Sequence, residues 1–171
     1  SRLEQSQVRI IWQKDEDTVW DTRDFRPLFE RNSFIKELDI YVFEAVCRDL
    51  QEMHLVREEK EKVSVQLSRL LFLDDNLGCR LQEIMDRYEV DAEELELMLE
   101  EKAISSRDIE KLILSMTKLK NLGFSLSLIH FGEDFSSFRY LRSLPVDCLK
   151  FDEAYIKENI HNKKGRQIIK T

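Results

Sequence analysis

The stretch from Leu126 to Asp152, LSLIHFGEDFSSFRYLRSLPVDCLKFD, most constrains the fold. A strand-like apolar run ends at a Phe-Gly turn, a serine pair opens a helical segment, and a second strand-like run follows. A strand–helix–strand unit of this kind places its two strands parallel in one sheet. The alternation extends along the chain. Strand patterns occur at Val8 to Trp12, Val63 to Leu67, Leu95 to Leu99, Phe124 to Phe131 and Val146 to Phe151. Helical patterns occupy Phe25 to Glu30, Leu38 to His54, Asn76 to Tyr88, Ser106 to Leu119, Ser137 to Leu144, Ala154 to Ile160 and Lys164 to Lys170. In the second helix, Leu38, Val42, Ala45, Val46 and Leu50 recur at helical spacing and form one apolar stripe. Ser105 or Ser106 is the expected cap of the Ser106 helix, and Gly123 its stop. The segment ELELMLEE is a strand by position but suits a helix on propensity. With four glycines and two prolines, long helices and short connections are expected. The whole pattern predicts a parallel α/β sheet or barrel.

A length of 171 residues fits one domain with a real core. The net charge of −7 argues against a nucleic-acid-coating surface. No apolar run is long enough to span a membrane, so no direct membrane insertion is expected, and no signal-peptide pattern opens the chain. The start at Ser1 suggests a segment of something longer. Cys47, Cys79 and Cys148 are odd in number and form no CxxC pair, which disfavours a zinc site or a disulfide framework. Cys47 and Cys148 lie in apolar patterns and are expected to be buried thiols, with a reducing cytoplasm as the default compartment. The basic cluster Lys163, Lys164, Arg166 and Lys170 reads as a solvated helix face.

The Leu126–Asp152 stretch resembles the EAL-domain phosphodiesterases of bacterial cyclic di-GMP signalling. Further stretches match that pattern in order: FRPLFERNSFIKELDIYVFEAVCRDL from Phe25, VSVQLSRLLFLDDNL from Val63, and EELELMLEEKAI from Glu93. The weaker start, VRIIWQK, is compatible with the family's first strand and places Gln13 on its YQP glutamine. The resemblance covers roughly residues 8 to 160 and implies a modified TIM barrel with its site at the C-terminal strand ends. The barrel is expected to be shortened or incomplete. The second strand, bearing the E-A-L tripeptide, and the last two strands are not evident.

The family's reaction uses two divalent metals, hard cations that want oxygen ligands and generate a nucleophilic water. The resemblance implies ligands at the E of EAL, the N of NLS, a glutamate of ELEITE and the two aspartates before FG. This chain has Gln66 at the NLS position, Met98 at the strand glutamate, and Ile129 and His130 at the aspartate pair. The expectation is therefore no catalytic residue, no bound metal and no cofactor. His130 is read as hydrogen-bonded structure, and Glu100 and Glu101 as a solvated turn after their strand. Asp74 and Asp75 read as a loop and helix cap. Lys150 and Asp152 match the LKxD motif, and with Gln13 they are the residual ligand-binding candidates. Lys150 and Asp152 are alternatively retained as a local charge pair.

The expected whole is a single degenerate EAL-like domain over residues 1–171, part of a larger signalling protein. It would act as a protein-interaction, dimerisation or regulatory module, with a protein partner or a second copy. The alternative is a receptor that binds cyclic di-GMP without hydrolysing it.

Overall fold

Short strands and longer helices alternate along the chain. In the computed structural model, residues 5–13, 15, 18–56, 62–132 and 139–159 are described. Strand β1 (Gln5–Gln7) precedes a hairpin of β2 (Ile11–Gln13) and β3 (Val19–Asp21). Helices α1 (Thr22–Arg31) and α2 (Ile35–His54) follow, then β4 (Lys62–Gln66), the short α3 (Arg69–Phe72) and α4 (Leu77–Tyr88). The rest comprises β5 (Leu95–Glu100), α5 (Ile109–Asn121), β6 (Ser125–Phe131), β7 (Cys148–Phe151) and α6 (Glu153–Asn159).

Five strands pair in parallel in the order β1-β4-β5-β6-β7, a curled α/β half-barrel. Period-two alternation gives this sheet two unlike faces. On one, register pairs Val63 with Leu95, Val65 with Leu97, Leu97 with Leu126 and Leu128 with Leu149. These rows pack into one core with Phe43, Val46 and Leu50 of α2, Leu81 of α4 and Met116 of α5. On the other, the rows are Ser64 with Glu96, Gln66 with Met98, and Met98 with Ser127. Met98 and Ile129 are buried yet stand outside that core cluster, as their position on the second face requires.

Several expectations change. The predicted Val8 to Trp12 strand divides into β1 and β2, and only β1 joins the main sheet. Strand β1 runs parallel beside β4, with Gln7 opposite Ser64. The ELELMLEE segment is strand, because the leucines at alternate positions reach the core. Helix α5 starts after Asp108 and not after Ser105 or Ser106; Ser105 instead accepts a hydrogen bond from the Arg107 amide in the preceding turn. Gly123 does end that helix, at φ 101°, a conformation side chains rarely adopt. Residues 139–144 form tight turns where a helix was expected, and the start of that segment lies outside the described residues. So do Lys164 to Lys170 and the basic cluster. Cys47 is buried and its thiol is pushed up to about 12, chiefly by burial. Cys148 is exposed, because its strand is the last of the five and has no described neighbour beyond it. No described helix is long and apolar enough to cross a membrane.

A buried ion pair ties α1 and α2 to the end of β4. The Arg26 Nη2 donates to Asp39 Oδ1 at 3.0 Å, and the Ser68 amide donates to Asp39 Oδ2 at 2.6 Å. Asp39 is fully buried and Arg26 is 4% exposed. Replacing Asp39 by Ala strands a guanidinium and an amide in a dry site, so Asp39→Ala is expected to destabilise the fold by about 3 kcal/mol. Urea unfolding measures this, and a loss under about 1 kcal/mol would show the pair to be solvated.

Candidate functional site

The C-terminal ends of β4, β5, β6 and β7 bring Gln66, Met98, Ile129, His130, Lys150 and Asp152 to one end of the sheet. Gln13 does not join them through the sheet: it lies exposed on β2, which among the described residues pairs only with β3.

The chemistry at this end is set by the side chains beneath it. Lys150 Nζ donates to Glu96 Oε2 at 2.5 Å and lies 3.4 Å from both Ser64 Oγ and Met98 Sδ. Ser64 donates to Glu96 Oε2 at 2.5 Å, and Ser127 donates to Glu96 Oε1. Four strands thus converge on one carboxylate that is 4% exposed. Burial alone would raise the pKa of Glu96. The hydrogen bonds from Lys150, Ser127 and Ser64 outweigh that and hold the carboxyl below the usual glutamate range. Met98 is fully buried and Ile129 is 5% exposed. Neither the Met98 thioether nor the Ile129 alkyl chain offers an oxygen donor at these strand ends.

One layer further out, Gln66 Nε2 donates to Glu100 Oε1 at 2.8 Å, and Lys102 Nζ lies 2.8 Å from Glu100 Oε2. Burial pushes Glu100 up, but Lys102, Gln66 and the nearby Arg26 charge bring it below the usual range. Glu101 is not the solvated turn residue expected. It is 1% exposed, and its Oε2 accepts from the Gly132 amide at 2.7 Å, anchoring the turn after β6. Gly132 sits at φ 98° against the Tyr155 ring, which a Cβ there would approach to 2.9 Å.

The two candidates retained from the LKxD pattern find partners on other strands or in the following helix. Lys150 reaches Glu96, as above. Asp152 Oδ1 accepts from the Tyr155 amide at 3.2 Å, capping α6, while Oδ2 lies 3.3 Å from His130 Nδ1. His130 itself adopts φ 55° at a register shift between β6 and β7, so its side chain is re-aimed by a bulge. The histidine therefore has a hydrogen-bonded role, as expected. Asp74 also departs from a simple cap: it pairs with Lys36 Nζ at 2.5 Å and accepts from the Asn76 amide at 3.1 Å.

Among the described residues, no three His, Cys, Asp or Glu side chains converge as a metal-holding group. The donor set at the strand ends does not fit two hard cations. Sequence reading passed over Glu96, Ser64 and Ser127. The signal for them was a polar residue set between two apolar ones in each of the three strands, VSV, LEL and LSL.

The EAL domain family model matches residues 1–171. The cyclic di-GMP phosphodiesterase NbdA of Pseudomonas aeruginosa is 31% identical over 166 residues, 97% of this chain and 21% of its own length. The bifunctional diguanylate cyclase/cyclic di-GMP phosphodiesterase MucR of the same organism is 25% identical over 160 residues, 94% of this chain and 23% of its own length. The chain thus spans about a fifth of the length of these two relatives. Among solved structures, the MucR phosphodiesterase in its c-di-GMP complex superposes with a TM-score of 0.83 at 24% identity, covering 95% of this chain and 66% of that one. The Xanthomonas citri FimX EAL domain in complex with c-diGMP gives 0.82 at 19% identity, covering 98% and 65%. At these identities the likeness to the solved structures is one of fold.

Breaking the Lys150–Glu96 pair leaves a buried carboxylate without its cation. Lys150→Met is expected to cost about 3 kcal/mol in urea unfolding, with Glu96→Gln in the same chain recovering part of it. A double-mutant cycle with no coupling would show the two groups to act independently. Because Glu96 and Glu100 are held below their unfolded values, their contribution is complete above about pH 5 and is lost as pH falls through the folded values. Glu96→Gln should flatten the acid limb of a stability–pH profile measured by thermal unfolding.

Proposed function

The chain belongs to the EAL domain family, and from that premise we propose that it is a non-catalytic member acting through protein contacts in cyclic di-GMP signalling. One observation carries the reading. Met98 and Ile129 are buried at the positions matched to metal-holding carboxylates, and the Lys150 ammonium lies against the Met98 sulfur and bonds to Glu96. Two hard cations brought to this place would meet a thioether, an alkyl chain and a fixed positive charge. A water held there would lack the metal charge that makes it a nucleophile near neutral pH. Asp152 caps a helix and meets His130, and Gln66 is occupied with Glu100, so neither is poised toward a phosphate.

The protein-binding half of the reading is supported by exposed apolar side chains. Ile11, Val19, Phe34 and Tyr41 are each more than half exposed, and Leu55 and Val56 are 84% exposed. The relatives are longer than this chain, which suits a domain that works within a larger protein.

A second reading, a receptor that binds cyclic di-GMP without cleaving it, is favoured by Lys150 at a strand end and by fold neighbours solved in complex with that ligand. The test has two arms. Incubation with cyclic di-GMP and magnesium or manganese is expected to yield no linear dinucleotide above a protein-free control, and product above that control would overturn the non-catalytic reading. Calorimetric titration with cyclic di-GMP is expected to show no saturable binding. An affinity of about 10 μM or tighter would install the receptor reading in its place.

A further inference from the structure

The Lys150 ammonium sits in a cradle built by other strands. Its Nζ donates to Glu96 Oε2 at 2.5 Å, and Ser64 Oγ and Met98 Sδ each lie 3.4 Å from it. A lysine ammonium has three N–H donors and no acceptor, so three acceptors around one nitrogen match it. All three belong to β4 and β5, and none to the lysine's own strand β7. The floor of the cradle is dry: Ser64 and Met98 are fully buried and Glu96 is 4% exposed. Its parts also hold one another. Ser64 gives its hydroxyl proton to Glu96 Oε2, which leaves the Ser64 lone pairs able to accept, and Ser127 donates to the other Glu96 oxygen. The lysine side chain, by contrast, is 28% exposed, so its stem runs from the cradle to solvent.

We infer that this cradle is a binding site for a primary alkylammonium group, and that Lys150 fills it from within and closes it to ions in solution. The donor set decides the class of ligand. One carboxylate balances one positive charge. Magnesium takes about six oxygens at about 2.0–2.1 Å, whereas this cradle counts a thioether among its three donors. A guanidinium spreads its donors in a planar fork and does not match acceptors gathered about a single nitrogen. A quaternary ammonium has no N–H to give. Because Lys150 is tethered, it competes with free amines at a high effective concentration, so the wild-type site stays filled. The inner face of the sheet therefore keeps its charge balance without drawing a cation from solution.

Lysine carries a four-carbon stem, so Lys150→Ala leaves room for one propylammonium ion. Thermal unfolding of this variant is the experiment, with propylammonium chloride at about 50 mM set against tetramethylammonium, potassium and magnesium chlorides at the same concentration. Propylammonium is expected to raise the variant's melting temperature by about 4 °C or more and to move the wild type by less than about 1 °C. The other salts are expected to reproduce none of the difference, and adding Glu96→Gln to Lys150→Ala is expected to abolish the response. No shift, an equal shift with every salt, or a shift that survives Glu96→Gln overturns the inference. A second measurement needs no variant and stands even where Lys150→Ala does not fold. In nitrogen-15 NMR of the wild type, the Lys150 ammonium, assigned through its contact with the Met98 side chain, is expected to exchange its protons slowly with water. Exchange as fast as that of the exposed lysines overturns the inference. Neither measurement involves cyclic di-GMP or a protein partner, so this inference and the non-catalytic reading fail separately.

Discussion

A carboxylate inside the sheet sets the terms for the rest of the structure. Glu96 projects from the middle strand into a layer where an uncompensated charge costs several kcal/mol. Its counter-ion comes from β7 and its two hydroxyl donors from β4 and β6. Four strands are thereby joined through side chains as well as through their backbone ladders. A slip of one residue in any of them would turn these partners toward the leucine-packed face and leave Glu96 unpaired. The register of the half-barrel and the neutrality of its inner face are therefore one constraint.

That constraint also explains which parts of the fold were legible. The outer face reads directly from sequence, since Val63, Val65, Leu95, Leu97, Leu126 and Leu128 recur at period two and pack beneath helices with their own apolar stripes. The order of elements from Phe25 onward and the substituted strand ends were visible for the same reason. The inner face was less legible because its polar residues find partners across strands, as Lys150 does with Glu96 across 54 positions. Local spacing suggested Lys150 with Asp152, and nothing local distinguishes the longer pairing. The opening segment misled through a different cause. VRIIW reads as one short β-type run, but the chain leaves the sheet after Gln7 and re-forms strand at Ile11, so the run is divided between two ladders. Glu101 and Cys148 were misread because burial at a strand end depends on what packs over it, here the Gly132 turn for one and no described strand for the other.

Residues kept from a family pattern need not keep its task. Asp152 remains a carboxylate, and the local geometry explains that without any ligand: α6 needs its first turn capped, and His130 needs an acceptor after the bulge. Lys150 remains a lysine because Glu96 would otherwise be stranded. Both reasons act on folding, so retention at these positions is compatible with the non-catalytic reading proposed above.

The replacements at the strand ends then follow a consistent physical direction. Several carboxylates crowded at one mouth repel one another unless cations sit between them, so a metal site of that kind couples the order of its rim to metal binding. Gln66 in place of the matched asparagine lengthens the side chain, and its amide donates to Glu100. Met98 and Ile129 remove two acidic positions from the interior and fill the space with buried apolar volume. Lys150 neutralises the Glu96 carboxylate. A rim built this way is held by hydrogen bonds, ion pairs and packing. It can persist as a rigid platform whether or not divalent metal is available, which is what a domain working through contact surfaces requires.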